Sequence, residues 1–207
     1  MKNKEKEMKK LILTIMAILC GATASPAFAE DTKTGPEHYE FDTVHTQIIF
    51  FVDHVGFSKS EGEFTDFGGH YILDRKNPEN SSVEVTIDTA SIDMDDEKWD
   101  AHMKNEDFFN VEKFPEMTFK STGVNVTGDN TAEITGDLTL LGVTKPVTLN
   151  VTHNKSDKHP FSGKFVSGFS ATANLKRSEF GMNYGLPAIG DDVEIRIEVE
   201  GIRKEEQ

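Results

Sequence analysis

Cysteine is nearly missing from this chain: one residue, Cys20, stands among 207. It falls inside a stretch that reads as a removable leader, so the body of the chain holds none. That excludes disulfides, thiol catalysis and cysteine-ligated metal there. Basic residues are also scarce. Lys and Arg number 22 against 36 Asp and Glu, a formal net charge of −14, which argues against nucleic acid and anionic head groups as partners. The seven His show neither His-x-His nor His-Glu-x-x-His spacing, so no metal ligand is nominated. No Gly-x-Ser-x-Gly elbow occurs, and the carboxylates sit mostly on the wet side of their strands. No catalytic residue and no cofactor are therefore expected. Tryptophan occurs once and tyrosine three times, against 15 Phe; apolar rings without polar handles suit a dry interior.

What is present begins with a basic start (MKNKEKEMKK), a short apolar core (LILTIMAILCGATA) and a small-x-small site ending at Ala29. The apolar core is shorter than the roughly 20 residues a membrane span needs. Residues 1–29 are thus expected to be a cleaved signal peptide, and the mature protein to be soluble and exported to the periplasm. Leu19, where a lipoprotein signal carries a small residue, argues against lipidation of Cys20. The leader carries five Lys and two Glu, so the remaining 178 residues stand at −17. That length suffices for one domain with its own core. Residues 30–38, polar and containing Gly35-Pro36, read as a flexible lead-in to a domain spanning 39–204.

The domain is written in period two. From Ala132 to Val151, Ile134, Leu138 and Leu140 oppose Glu133, Asp137 and Thr139; after a break, Val147, Leu149 and Val151 oppose Thr148 and Asn150. One apolar and one wet face mark a half-buried antiparallel hairpin, with Leu141–Pro146 expected as its loop. Thr46–Val55 is a strand with Ile48, Phe50, Val52 and His54 inward. Gly62–Asp74 is expected as a strand with a bulge or bend at Gly68-Gly69. Ser82–Asp88, Met117–Val126, Gly163–Lys176 and Asp191–Arg203 continue the alternation. Between Asp93 and Phe109 the period changes: acids lead, and Trp99 and Met103 share a face beside His102, which predicts one amphipathic helix of about ten residues. About eight alternating strands and one helix predict an all-β fold, a closed antiparallel barrel or a sandwich. On packing grounds alone a filled core is the default for such an interior.

These residues in this order resemble the YceI family. The matching blocks are His45–His54, Gly62-Glu63-Phe64, Ser91-Ile92-Asp93, Asp100 with His102–Phe109, Phe114-Pro115 with Phe119, Gly136–Val147, Arg177–Gly181 and Ile189–Val193. Together they cover about Tyr39 to Arg203. The resemblance implies a lipocalin-like barrel of about eight strands, with the short helix covering one end. It implies a lumen that takes a polyisoprenoid or isoprenoid quinone, and no catalysis. It also brings a membrane cytochrome or another quinone-using protein into view as a partner, and leaves a homodimer open. Met94 and Trp99 depart from the family's common Thr and Arg, which removes polar groups near the helix.

On that reading, strand parity nominates a lining for an apolar tail. Ile48, Phe50, Val52 and Phe64 come from the first half of the domain, with Val85 and Phe119 next. Leu138, Leu140, Phe165 and Phe169 come from the second half. His54 and His102 are the polar candidates, with Trp99 beside them on the helix. The alternative reading is a barrel with a filled core, not an enzyme, that acts through its surface as a protein-interaction or stress-response module.

Overall fold

The structure is a computed structural model that describes residues 35–205. The expected signal peptide, Cys20 and the first part of the lead-in lie outside the described residues. Eleven strands and one helix follow in chain order: β1 (Glu37–Phe41), β2 (Gln47–His54), β3 (Ser58–Phe64), β4 (Phe67–Leu73), β5 (Ser82–Asp88), β6 (Ile92–Asp93), α1 (Glu97–Met103), β7 (Glu116–Val126), β8 (Thr131–Leu140), β9 (Val143–Lys158), β10 (Phe165–Lys176) and β11 (Ile189–Arg203).

All pairings are antiparallel, and they close. β11 pairs with β10 along one edge and, along the other, with both β1 (Tyr39 opposite Arg203) and β2 (Ile48 opposite Ile197). β4 pairs with β1 and β3 with β2; β5 pairs with β4 and β6 with β3. The first six strands are therefore three long spans, each broken once, and with β7 to β11 they make an eight-span up-and-down barrel. Closure removes the exposed sheet edge that an open sheet would present.

The three breaks fall at 42–46, 65–66 and 89–91; the last two are hydrogen-bonded to each other and the first to β11. Asp42 N–H donates to Glu200 O at 2.8 Å, Thr65 N–H to Ser91 O at 3.2 Å and Asp88 N–H to Asp66 O at 3.0 Å. The backbone groups freed at 65–66 and 89–91 are thus satisfied by one another's segments, and that of Asp42 by β11. The expected strand Gly62–Asp74 is accordingly two strands, turned at Thr65–Asp66 and not at Gly68-Gly69. Gly69 stays within β4, where any Cβ would stand 2.5 Å from Glu84 O. This close approach, not a bend, is what requires glycine there.

Three further boundaries differ from expectation. Glu37 and His38, expected in the lead-in, open β1, and Glu37 is buried. The hairpin loop is only Leu141–Gly142, with φ of 52° and 74°, so Val143–Pro146 is strand. Pro146 is tolerated because β9 pairs with β10 only from Asn150 onward, leaving its first residues an edge. The helix runs seven residues. Beyond it the chain is held in turns by Phe109 N–H to Met103 O at 3.0 Å and Val111 N–H to Lys104 O at 3.0 Å, which press Phe108 and Phe109 inward.

Candidate functional site

The inward parity of the strands does not fill the barrel. A cavity of about 500 Å³ occupies the interior, within the range of about 300–1,000 Å³ usual for small-molecule sites. The filled core expected on packing grounds is therefore corrected. Small and large side chains share the lining, Ala171 among rings that are fixed against one another. Phe64 is central to that fixing: its ring lies 5.8 Å from Phe50 and 5.4 Å, edge-on, from Phe109. Along β8 the lining runs from Ile134 to Leu140, seven residues or about 20 Å of strand.

Ile48, Phe50 and Val52 of β2, Phe64 of β3 and Val85 of β5 all line the cavity. So do Phe119 of β7, Leu138 and Leu140 of β8, and Phe169 of β10. His54, Trp99 and His102 line it at the α1 end, where Trp99 is 37% exposed. Phe165 is the exception. Its ring lies under two cations, 4.0 Å from the Arg203 guanidinium carbon and 5.5 Å from that of Arg75, and it takes no part in the lining. Parity put Phe165 and Phe169 on the same face, but parity cannot say how far along the barrel axis the hollow extends.

Sequence reasoning missed the remainder of the α1 end. Met94, Met103 and Phe108 come from the helix region, and Met182, Tyr184 and Ile189 from the segment before β11. That segment has no periodicity to read. His102, Phe108 and Tyr184 meet edge-on with centroids 5.0–5.3 Å apart, and His102 Nε2 lies 3.1 Å from Asp107 Oδ2. Met94, where the resemblance had a polar residue in view, is buried in the lining. The segment is tied down by Arg177, 2% exposed, which donates to Gly190 O at 2.7 Å, Ile189 O at 3.0 Å and Met182 O at 3.1 Å. Burial lowers its guanidinium pKa from the usual value, with Asp191 opposing the shift; an arginine stays charged regardless. Its neighbourhood makes it the one buried cation lining the cavity among the described residues.

The interior at the other end carries a polar and aromatic cluster. Glu37 accepts from Arg75 at 2.5 Å, Arg203 at 2.9 Å and Tyr39 at 2.7 Å. Tyr39 stacks on Tyr71 at 4.8 Å, and Tyr71 donates to Ser167 O at 2.8 Å. Burial raises the Glu37 carboxyl, but the hydrogen bonds from Arg75, Tyr39 and Arg203 outweigh it, so its pKa ends below the ordinary Glu value. Burial, reinforced by Glu37, raises the Tyr39 phenol well above its ordinary range. Burial, and then the charge of Arg75, lower the His153 imidazole pKa below its ordinary value. Its Nε2 meets Ser156 Oγ at 2.7 Å, and Ser156 passes on to Ser167 Oγ at 2.6 Å. Neither His153 nor Ser156 lines the cavity.

Among the described residues, Asp42, His45 and Glu200 could bring ligand atoms within 4.8 Å of one another. They sit at the break between β1 and β2, with His45 57% exposed and already hydrogen-bonded to Asp42 at 3.0 Å.

The chain's relatives match this architecture. The model of the family described as YceI-like domain matches residues 39–201. A UPF0312 protein of Pseudomonas aeruginosa is 40% identical over 194 residues, covering 92% of this chain and 98% of that one. The crystal structure of the Campylobacter jejuni YCEI protein superposes with a TM-score of 0.68 at 31% identity, over 74% of this chain and 90% of that one. A polyisoprenoid binding domain from Saccharophagus degradans, implicated in plant cell wall breakdown, shares the fold at a TM-score of 0.60 and 14% identity, over 80% of this chain and 98% of its own.

Proposed function

The chain belongs to the family of YceI-like domains, and on that premise we propose that it is an exported carrier that shelters a long-chain polyisoprenoid or isoprenoid quinone inside its barrel. The observation that carries this reading is the cavity itself. It is lined mainly by aliphatic and aromatic side chains; its polar groups are few, with His54, His102 and Arg177 at the α1 end and Ser81 and Ser82 towards the other. Each methylene moved from water into such a space gains about 0.8 kcal/mol, so a tail needs a dry channel and hardly any directed contacts. Orientation would come from the polar groups at one end: His54, His102 and the Arg177 guanidinium. A polyisoprenoid binding domain built on the same barrel lends the ligand class. The work is binding and release, with no bond made or broken.

Organic extraction of the purified mature protein, followed by mass spectrometry, is expected to release an isoprenoid-type lipid; the stripped protein should then take up a long-chain ubiquinone on mixing. Phe169→Asp places a charge in the lining and should cut that uptake; since Phe169 also meets Tyr71 and His153 at 5.5 and 5.1 Å, the reading is taken on variant protein that circular dichroism shows to be folded. Repeated extraction without any apolar molecule, together with no uptake, would count against the carrier.

A further inference from the structure

The turn between β2 and β3 is Val55-Gly56-Phe57, whose first two residues stand at φ of 59° and 73°. Consecutive turn residues at positive φ favour Asn, Asp and Gly. A β-branched residue there is a backbone outlier. Burial of the side chain does not offset it: Val55 is 49% exposed, and Phe57, the last residue of the turn, is 89% exposed. The corresponding turn at Leu141–Gly142 has the same signs of φ, but there Leu141 packs against the core. A strained apolar tip held in water is the kind of outlier that points to function.

The tip stands at the rim of the cavity. Val55 N–H donates to Ala188 O at 3.0 Å and Phe57 N–H to His54 O at 3.0 Å, and His54 lines the cavity. Ile189 pairs with His54 and donates to Gly185 O at 2.9 Å, next to Tyr184, which meets His102 of α1. Four exposed apolar side chains, Val55, Phe57, Trp99 and Tyr184, therefore flank one end of the hollow.

We propose that this rim, led by Val55 and Phe57, docks by inserting into the interfacial layer of a zwitterionic phospholipid bilayer, so that an apolar tail passes between bilayer and barrel without crossing water. The proposal rests on the carrier reading above. A projecting tip is the wrong shape for a protein partner, which needs a face of roughly 800 Å² on each side. Aromatic side chains are favoured at the membrane interface. The formal charge of −17 left on the 178 residues after the leader repels anionic head groups, which selects the zwitterionic surface.

The test is the rate of loading of stripped protein from phosphatidylcholine vesicles carrying a long-chain ubiquinone. The quinone quenches Trp99, the single tryptophan of the chain. Phe57→Ser should slow loading from vesicles about tenfold, the value of one lost Phe burial, with flotation on the vesicles falling in parallel. Loading from detergent micelles should not change. Phe161→Ser, which removes an equally exposed ring (94%) from the β9–β10 loop, should match the parent protein. Val55→Asn should relieve the turn and raise the melting temperature, yet slow loading from vesicles; folding damage cannot mimic that combination. Loading of Phe57→Ser at the parent rate, or equal slowing by Phe161→Ser, would overturn the docking and leave the carrier standing. No loading of the parent protein from vesicles or micelles would overturn both.

Discussion

Glu37 illustrates what single residues contribute and what a sequence hides. It lies in a polar stretch that reads as a lead-in, yet its carboxylate is 1% exposed and meets Arg75 and Arg203, 38 and 166 positions away. No local pattern encodes such a pairing, because its partners are set by the closure of β11 on β1. Phe165 and Phe169 are the reverse case. Parity placed both correctly on the inner face, but one stacks on Arg203 and the other lines the hollow, a difference of position along the axis. A buried carboxylate between two guanidinium groups is costly to break, since removing one partner strands the rest. Glu37→Gln should therefore lose about 3 kcal/mol of unfolding free energy at neutral pH, measured by urea titration. The sign with pH follows from the depressed carboxyl pKa. The charge contributes fully above the ordinary Glu value of 4.5 and is lost as pH falls through the lower folded value. The gap between parent and variant should narrow on acidification below that ordinary value. A gap that stays constant would mean that the charge is not what holds the cluster.

At the scale of elements, the hairpin and the helix were legible in kind and less so in extent. The alternation of β8 and β9 announced two strands, but the loop between them read long because Gly142 and Pro146 both count as breakers. Only the pairing shows that Pro146 stands on an edge. The acids before Trp99 announced a helix start, and the cap is Asp96, whose carboxylate accepts from Lys98 N–H at 3.1 Å and Trp99 N–H at 3.0 Å. The helix stops early because Asn105 redirects the chain, its carbonyl accepting from Asn110 N–H at 2.8 Å and its side chain from Asp107 N–H at 2.8 Å. Seven residues are too few to persist alone, so α1 depends on this cap, on Asp100 accepting from Met94 N–H at 2.7 Å, and on the burial of Met103. Asp96→Ala should cost about 1 kcal/mol. Because the barrel does not depend on α1 for closure, that loss should appear as local opening. Amide exchange should quicken at Lys98 and Trp99 while the β10–β11 ladder keeps its protection. Uniform loss of protection would show that α1 is a structural part of the barrel and not a cover over one end.

For the whole molecule, the antiparallel all-β class followed from strand count and alternation, which left barrel and sandwich open; closure came with the family resemblance, and the hollow followed from neither. Whether inward rings meet in the middle depends on barrel radius and on which small residues face which large ones, and both are long-range properties. An empty apolar space weakens a folded protein, since its walls lose contacts that solid packing would supply. A native ligand restores them, and binding to the folded form alone raises stability by about 2.7 kcal/mol at a hundredfold excess over Kd. For a domain of this length that is a shift in Tm of several degrees, at about 2–4 °C per kcal/mol. Ala171, buried and facing the cavity, offers the counter-experiment. Ala171→Phe should occupy part of the hollow with protein, so the stripped variant should melt no lower than the stripped parent, and added ubiquinone should no longer raise its Tm. Overpacking would appear instead as a fall in Tm before any ligand is added, in which case the smaller Ala171→Leu should still reduce the ligand-induced shift. If quinone raises the Tm of parent and both variants equally, it binds outside the barrel, and the interior space is a structural void.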